Sequence, residues 1–145
     1  MIKNSTNDTN KRFHLQIIES TISKIASNSF LIKGWPLTLL GGLIALYLAN
    51  KSKIWSYDLL LICFCACIFF WLNDAYYLNL ERRFRKLHAN VVSQSEWEIN
   101  FSMTPPCIKG GFRCALVQPI FLLSYGIILI IILLLLFLKW FVFKI

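Results

Sequence analysis

The chain has 145 residues, of which 57% are hydrophobic, and its mean hydropathy is +0.62. Soluble globular proteins average about 45–50% apolar residues, so this composition excludes an ordinary soluble protein. The formal net charge is +8, which is compatible with binding either nucleic acid or a membrane surface. The distribution of the charges along the chain, described below, favours the membrane.

The first 28 residues predict two different segments. Residues 1–10 are mostly Asn, Thr, Ser, Lys and Asp without periodicity, which predicts a disordered tail. Residues 11–28 have a helical period and predict a cytosolic amphipathic helix. We expect its polar face to include His14, Gln16 and Glu19, and its apolar face to consist of Phe13, Ile17, Ile18, Ile22, Ile25 and Ala26.

Two apolar runs follow, at residues 29–50 and 54–76, and a short polar link separates them. At 1.5 Å of rise per residue, about 20 residues cross a hydrocarbon core of about 30 Å. We therefore predict an antiparallel pair of transmembrane helices. Gly41, Gly42 and Ala45 form a small-residue patch in the first span, where another helix can approach closely.

The rest of the chain predicts one further span. Apolar residues continue past the second run at alternating spacings of three and four, so we predict a cytosolic helical extension over residues 77–92. Residues 93–115 contain Pro105, Pro106, Gly110 and Gly111 and predict an irregular cytosolic loop. Residues 116–139 predict a third transmembrane helix. The predicted fold is an all-α integral membrane protein with three spans.

The basic residues predict the topology. Of the fifteen Lys and Arg residues, five lie at or before Lys33 and six lie between the second and third spans. The positive-inside rule places both segments in the cytoplasm, so we expect a multi-pass protein of the cell inner membrane with its C-terminus outside. We expect the basic run of Arg82, Arg83, Arg85 and Lys86 to contact anionic lipid. Nucleic acid is not favoured as a partner.

Three residues near one membrane face are candidates for an intramembrane or gating role. Asp74 is ionisable at the inner end of the second span, and Asn73 precedes it. Charged side chains at this depth usually pair or serve a function. Lys33, near the same height in the first span, is its expected partner. Either a packing ion pair or an ion-facing gate would explain the two charges.

No enzyme, cofactor or metal site is predicted. Cys63, Cys65 and Cys67 lie within a span and lack neighbouring His or carboxylate ligands, so packing explains them better than metal binding. Arg83 and His88 have a spacing that resembles the Arg-x-x-x-x-His motif of HEPN ribonucleases, in which the His acts in acid–base chemistry. Topology and anionic lipid already explain this basic run, so we do not predict a nuclease.

Four segments carry a family resemblance: residues 14–20 (HLQIIES), 27–35 (SNSFLIKGW), 71–78 (WLNDAYYL) and 81–85 (ERRFR). Together they look like a widespread group of small uncharacterised bacterial multi-pass membrane proteins. The order of amphipathic helix, paired spans and cytosolic extension is also similar to that of SLATT-type membrane effectors of bacterial conflict and antiphage systems. The resemblance implies a membrane effector that a sensor protein controls in trans.

The expected function is therefore that of a homo-oligomeric effector, in the lipid bilayer, that perturbs or permeabilises the inner membrane when a cytosolic partner triggers it. Two alternatives stay open. One is a non-enzymatic scaffold that recruits a cytosolic partner through its amphipathic helices. The other is a holin-like lysis protein, although its basic charge would be expected in a terminal tail instead of the middle loop.

Overall fold

The structure is a computed structural model that describes residues 2–95 and 98–144, with side chains described for residues 9–95 and 98–141. The described residues form four helices in the order α1 (Ile2–Ala49), α2 (Ser56–Ser93), α3 (Gly111–Leu116) and α4 (Pro119–Lys144). Three of them contain segments long and apolar enough to cross a membrane, namely Thr9–Ala49, Ser56–Ser93 and Pro119–Phe141. The all-helical fold with three helices of spanning length is confirmed.

The first helix is longer than the sequence predicts. α1 runs without interruption over 48 residues, where the sequence divides the chain into a disordered tail, an amphipathic helix and a span. The first 33 residues contain neither Gly nor Pro, and the tail residues disfavour a helix only moderately. A helix that is already nucleated by packing therefore propagates to Ile2. It also continues through Pro36, whose side chain is buried.

α1 and α2 form the predicted antiparallel pair. They also pack on each other beyond the predicted spans, at the end away from the link. Ile18 of α1 lies in a cluster with Leu87 and Val91 of α2, and Ile22 and Phe84 extend it. The amphipathic segment of α1 thus packs on the extension of the second span. The extension is continuous with the span because α2 is one helix of 38 residues.

The buried face of α1 differs from the predicted one. Phe13 is 63% exposed, whereas His14 is buried and packs edge-on against Phe101. The buried positions recur at intervals of eleven residues, which corresponds to about 3.67 residues per turn. Because α1 is one continuous helix, the same side of it is buried in both of its halves. That side includes the polar residues His14 and Ser29, which a search for apolar residues leaves out. The two series are His14, Ile25, Pro36 and Tyr47, and Ile18, Ser29 and Leu40.

α3 and α4 follow the 94–110 segment. The short α3 replaces the end of the predicted irregular loop and includes Leu116, the first residue of the predicted third span. Its first residue, Gly111, packs closely against α2. A Cβ atom at Gly111 would lie 2.5 Å from Asn79 Oδ1. α4 begins at Pro119, because proline suits the first helical position, where no intrahelical donor is needed. The third span thus begins three residues later than the predicted residue 116.

The two ends of the bundle can be named by their connections. The link end carries residues 50–55, where Lys139 of α4 donates a hydrogen bond to the Lys53 carbonyl at 3.1 Å. The loop end carries residues 98–110. There Lys11 donates to the carbonyl of Gln94 at 2.8 Å, so a cation from α1 supports the carboxyl end of α2. The first residues of α1 and the loop therefore share one end, as predicted.

Candidate functional site

Asp74 is the most deeply buried charged side chain among the described residues, with 1% of its surface exposed. It lies on the face of α2 that also carries Leu60, Cys63 and Cys67, all of them buried. Counting 18 residues from Ser56 at 1.5 Å each places it about 27 Å along the helix. A hydrocarbon core is about 30 Å thick, so in a span that began at Ser56, Asp74 would lie close to the loop-end boundary.

The direct partner of Asp74 is Tyr125 of α4. The Tyr125 hydroxyl donates a hydrogen bond to Asp74 Oδ2 at 2.7 Å, and both side chains are buried. The same stretch of α4 contacts α2 again, where Cys67 Sγ lies 3.9 Å from the Tyr125 carbonyl. This buried polar contact fixes the rotation of α4 against α2, because any other rotation would leave two polar groups without partners.

The other carboxylate oxygen, Asp74 Oδ1, is buried and accepts no hydrogen bond from the residues that the structure describes. A buried acceptor without a donor costs about 1–3 kcal/mol, and more if it is charged. Few such groups occur in native structures, and each one requires an explanation. Asp74 thus retains an unused hydrogen-bonding capacity within the bundle.

Lys33 lies near Asp74 but does not pair with it directly. Both residues line a cavity of about 280 Å³ between α1 and α4. The Lys33 ammonium lies 5.8 Å from the centre of the Phe121 ring, and no ion pair within 4.0 Å joins it to Asp74 in the described part of the chain. The expectation that Lys33 is the direct partner of Asp74 is therefore corrected: Tyr125 takes that position.

The third gating candidate, Asn73, does not join this cavity. Its side-chain amide donates to the carbonyl of Phe69 at 2.9 Å, one turn earlier on α2. Of the three residues singled out from the sequence, the structure brings Asp74 and Lys33 together and leaves Asn73 apart. Tyr125 was missed, although the single tyrosine of the third span is a usable signal, because a buried hydroxyl needs a partner.

The small-residue patch on α1 is exposed. Gly41, Gly42 and Ala45 all lie on the outer surface, and nothing lies within 4 Å of a Cβ atom placed at either glycine. A groove of about 670 Å³ runs beside Gly42 and is bordered by Trp35, Leu39, Leu46 and Phe70, among others. The patch therefore does not serve the packing of the described subunit.

Three of the four residues of the basic run bind other residues of the same chain. Arg83 donates to the carbonyls of Pro106 and Pro105 at 3.1 and 3.0 Å, Arg82 donates to Gln118, and Arg85 pairs with Glu81 at 2.7 Å. Arg83 thus anchors the loop to α2, while Lys86 is exposed. Contact with anionic lipid stays a prediction for these four residues.

The remaining candidates give no cluster with obvious chemistry. His88 lines a groove with Glu19 and Arg85, whereas Arg83 is bound to the loop, so the two members of the Arg-x-x-x-x-His pattern are held in different surroundings. Among the described residues, no group of three or more His, Cys, Asp or Glu side chains is arranged to hold a metal ion. Cys63 and Cys67 are buried and Cys65 is exposed.

No protein-family model, curated protein or solved structure matches this chain.

The cavity that contains Asp74 and Lys33 is therefore the candidate site on physical grounds. It contains the Asp74 carboxylate, whose Oδ1 accepts no hydrogen bond from the described residues, and the Lys33 ammonium, which carries the opposite charge. Its other walls are mainly apolar and include Pro36, Leu37 and Ile128. Ser124 adds a hydroxyl that donates to the Ile120 carbonyl at 2.7 Å. Such a site can bind a polar group that has both a donor and an acceptor. Alternatively, the shape of the cavity can change as α1 and α4 move relative to each other.

Proposed function

We propose that this chain is a homo-oligomeric effector of the bacterial inner membrane that perturbs or permeabilises the membrane when a cytosolic partner triggers it, in antiphage defence. The observation that carries the proposal is the exposed small-residue patch of Gly41, Gly42 and Ala45 beside its groove. Small residues let helices of neighbouring subunits approach closely in lipid. A passage for ions would form between subunits, because one subunit has only three helices of spanning length in the described residues.

The proposed topology puts the loop end in the cytoplasm and the link end outside. Eleven of the fifteen Lys and Arg residues lie in the chain segments at or before Lys33 and between the second and third spans. Lys11 contacts the end of α2, and His14 contacts Phe101, so these segments share one end of the bundle. Protease added to sealed right-side-out vesicles should leave the N-terminal segment intact. Removal of that segment would overturn this topology.

The trigger would act at the loop end. Phe13 is exposed, Ile17 one turn later is also exposed, and both lie outside the stretch of α1 that pairs with the hydrophobic part of α2. Apolar side chains on a water-facing helix offer a docking surface for an apolar partner helix. The sensor protein implied by the SLATT resemblance is the proposed occupant of this surface.

The same exposed residues support the second candidate, a non-enzymatic scaffold that recruits a cytosolic partner without ion flux. Membrane depolarisation separates the two. In cells that express the chain alone or with its partner, the effector should depolarise the inner membrane and stop growth. Gly42→Leu should abolish this effect because it fills the groove, while Gly126→Leu, at another glycine with open space around its Cβ position, should not. A stable partner complex without depolarisation would favour the scaffold.

A further inference from the structure

The cavity between α1 and α4 offers one unused acceptor. Asp74 Oδ2 already receives the Tyr125 hydroxyl, and this contact also satisfies that donor. Asp74 Oδ1 remains buried without a donor. A ligand that supplies an N–H or O–H group at this position would remove the cost of the unsatisfied oxygen, and a cationic donor would do so most effectively.

The same cavity offers a positive charge at its edge. Lys33 is exposed, lines the cavity and lies above the Phe121 ring. Because no ion pair joins it to Asp74 in the described residues, the two opposite charges are held apart with space between them. Such a site suits a zwitterion that carries an ammonium at one end and an anionic group at the other.

The remaining surroundings indicate where this ligand comes from. Leu37 and Ile120 line the cavity and are 76% and 66% exposed, so its mouth lies on the apolar outer surface of the spans. Asp74 lies about 27 Å from the start of α2 by helix rise, near the boundary of a hydrocarbon core of about 30 Å. This is the depth of a lipid headgroup, and a water-soluble zwitterion would have to pass an apolar rim to reach it.

We propose that this cavity binds the headgroup of a zwitterionic phospholipid with a primary ammonium, of the phosphoethanolamine class. The ammonium donates to Asp74 Oδ1, the phosphate lies beside Lys33, and the acyl chains lie along Leu37 and Ile120. A trimethylated ammonium has no N–H group and cannot make the bond to Asp74. The proposal does not depend on whether the assembly permeabilises the membrane.

The experiment compares lipids on the unaltered protein. The protein is placed in nanodiscs that contain equal amounts of phosphatidylethanolamine, phosphatidylcholine and phosphatidylglycerol with identical acyl chains, and the lipids retained after release are counted by native mass spectrometry. We expect phosphatidylethanolamine to be retained about tenfold over phosphatidylcholine, equivalent to about 1.4 kcal/mol. Equal retention of these two lipids would overturn the proposal. Preferential retention of phosphatidylglycerol would also overturn it, because the headgroup charge alone would then be recognised.

Variants locate the preference within the protein. Asp74→Asn should reduce the preference at least several-fold, since the amide lacks the charge that attracts the ammonium. Asp58→Asn, at an exposed carboxylate on the first turn of α2, should leave it unchanged. A preference that survives Asp74→Asn in a folded protein would contradict the assigned site. If Asp74→Asn does not fold, Lys33→Gln at the exposed edge provides the second test, and it should reduce retention of both zwitterionic lipids.

Discussion

The contact between Asp74 and Tyr125 predicts a specific pattern of stability in a double-mutant cycle. Tyr125→Phe removes the hydroxyl that donates to Asp74 Oδ2 and leaves the carboxyl group buried without a hydrogen bond from the described residues. Hydrogen bonds to charged groups contribute about 1.5–3 kcal/mol to stability, and we expect the free energy of unfolding of the variant to fall by that amount. Asp74→Leu should lose a similar amount, because the buried Tyr125 hydroxyl then has no acceptor.

The double variant Asp74→Leu/Tyr125→Phe should recover most of the loss. Replacing both members of a buried polar pair by apolar groups of similar shape is often nearly neutral, whereas removing one member is costly. The measurement is the free energy of unfolding in mixed detergent micelles with increasing denaturing detergent, followed by helicity. Because the double variant should lose little, the expected coupling between the two positions approaches the sum of the two single losses, about 3–6 kcal/mol.

A parallel cycle with Lys33→Gln provides the comparison. Because Lys33 is exposed and makes no direct ion pair with Asp74, its coupling to Asp74 should be much smaller than that of Tyr125. If the losses from Asp74→Leu and Tyr125→Phe simply add, the two side chains do not stabilise each other, and the assignment of Tyr125 as the partner is refuted. A larger coupling to Lys33 than to Tyr125 would refute it in the same way.

Two further predictions concern the loop end. Arg83→Gln should release the loop from α2, since it removes the donors to the Pro105 and Pro106 carbonyls; limited proteolysis should then cut within residues 98–110 severalfold faster, while Lys86→Gln leaves the rate unchanged. Equal rates in the two variants would contradict the anchoring role. Gly111→Ala should destabilise the protein by about 1–3 kcal/mol, because the new Cβ atom would displace Asn79 Oδ1 and would also lie 3.1 Å from the Cβ atom of Ile108, which the backbone holds in place. Gly34→Ala, with open space at its Cβ position, is the matched control, and a neutral Gly111→Ala would show that this contact is not tight.

The sequence predicts the spans well because the underlying signal is local. Apolar runs of about 20 residues are sufficient to identify helices of spanning length, and spacings of three and four are sufficient to predict that α2 continues past its apolar run. Asp74 was identified for the same reason, as an ionisable residue within an apolar run. These inferences need no knowledge of which helices are neighbours.

The contacts of the candidate site require that knowledge. Tyr125 is 51 residues from Asp74, and although a tyrosine marks one side of α4, nothing in the local pattern indicates which residue of another helix it contacts. His14 was placed on the wrong face because its burial depends on a face continued from the apolar half of α1. The partners of Arg83 are carbonyl groups of an irregular segment, and backbone carbonyls carry no side-chain signal in the sequence.

The most direct test of the proposed assembly is the mass of the complex in lipid nanodiscs. The subunit has a mass of 16.9 kDa, and we expect a defined multiple of this mass for the unaltered protein. Gly42→Leu should shift it towards the single subunit, because the added side chain fills the groove on α1, while Gly126→Leu should retain the multiple. A single-subunit mass for the unaltered protein, in both mild detergent and nanodiscs, would contradict an effector that acts as a homo-oligomer.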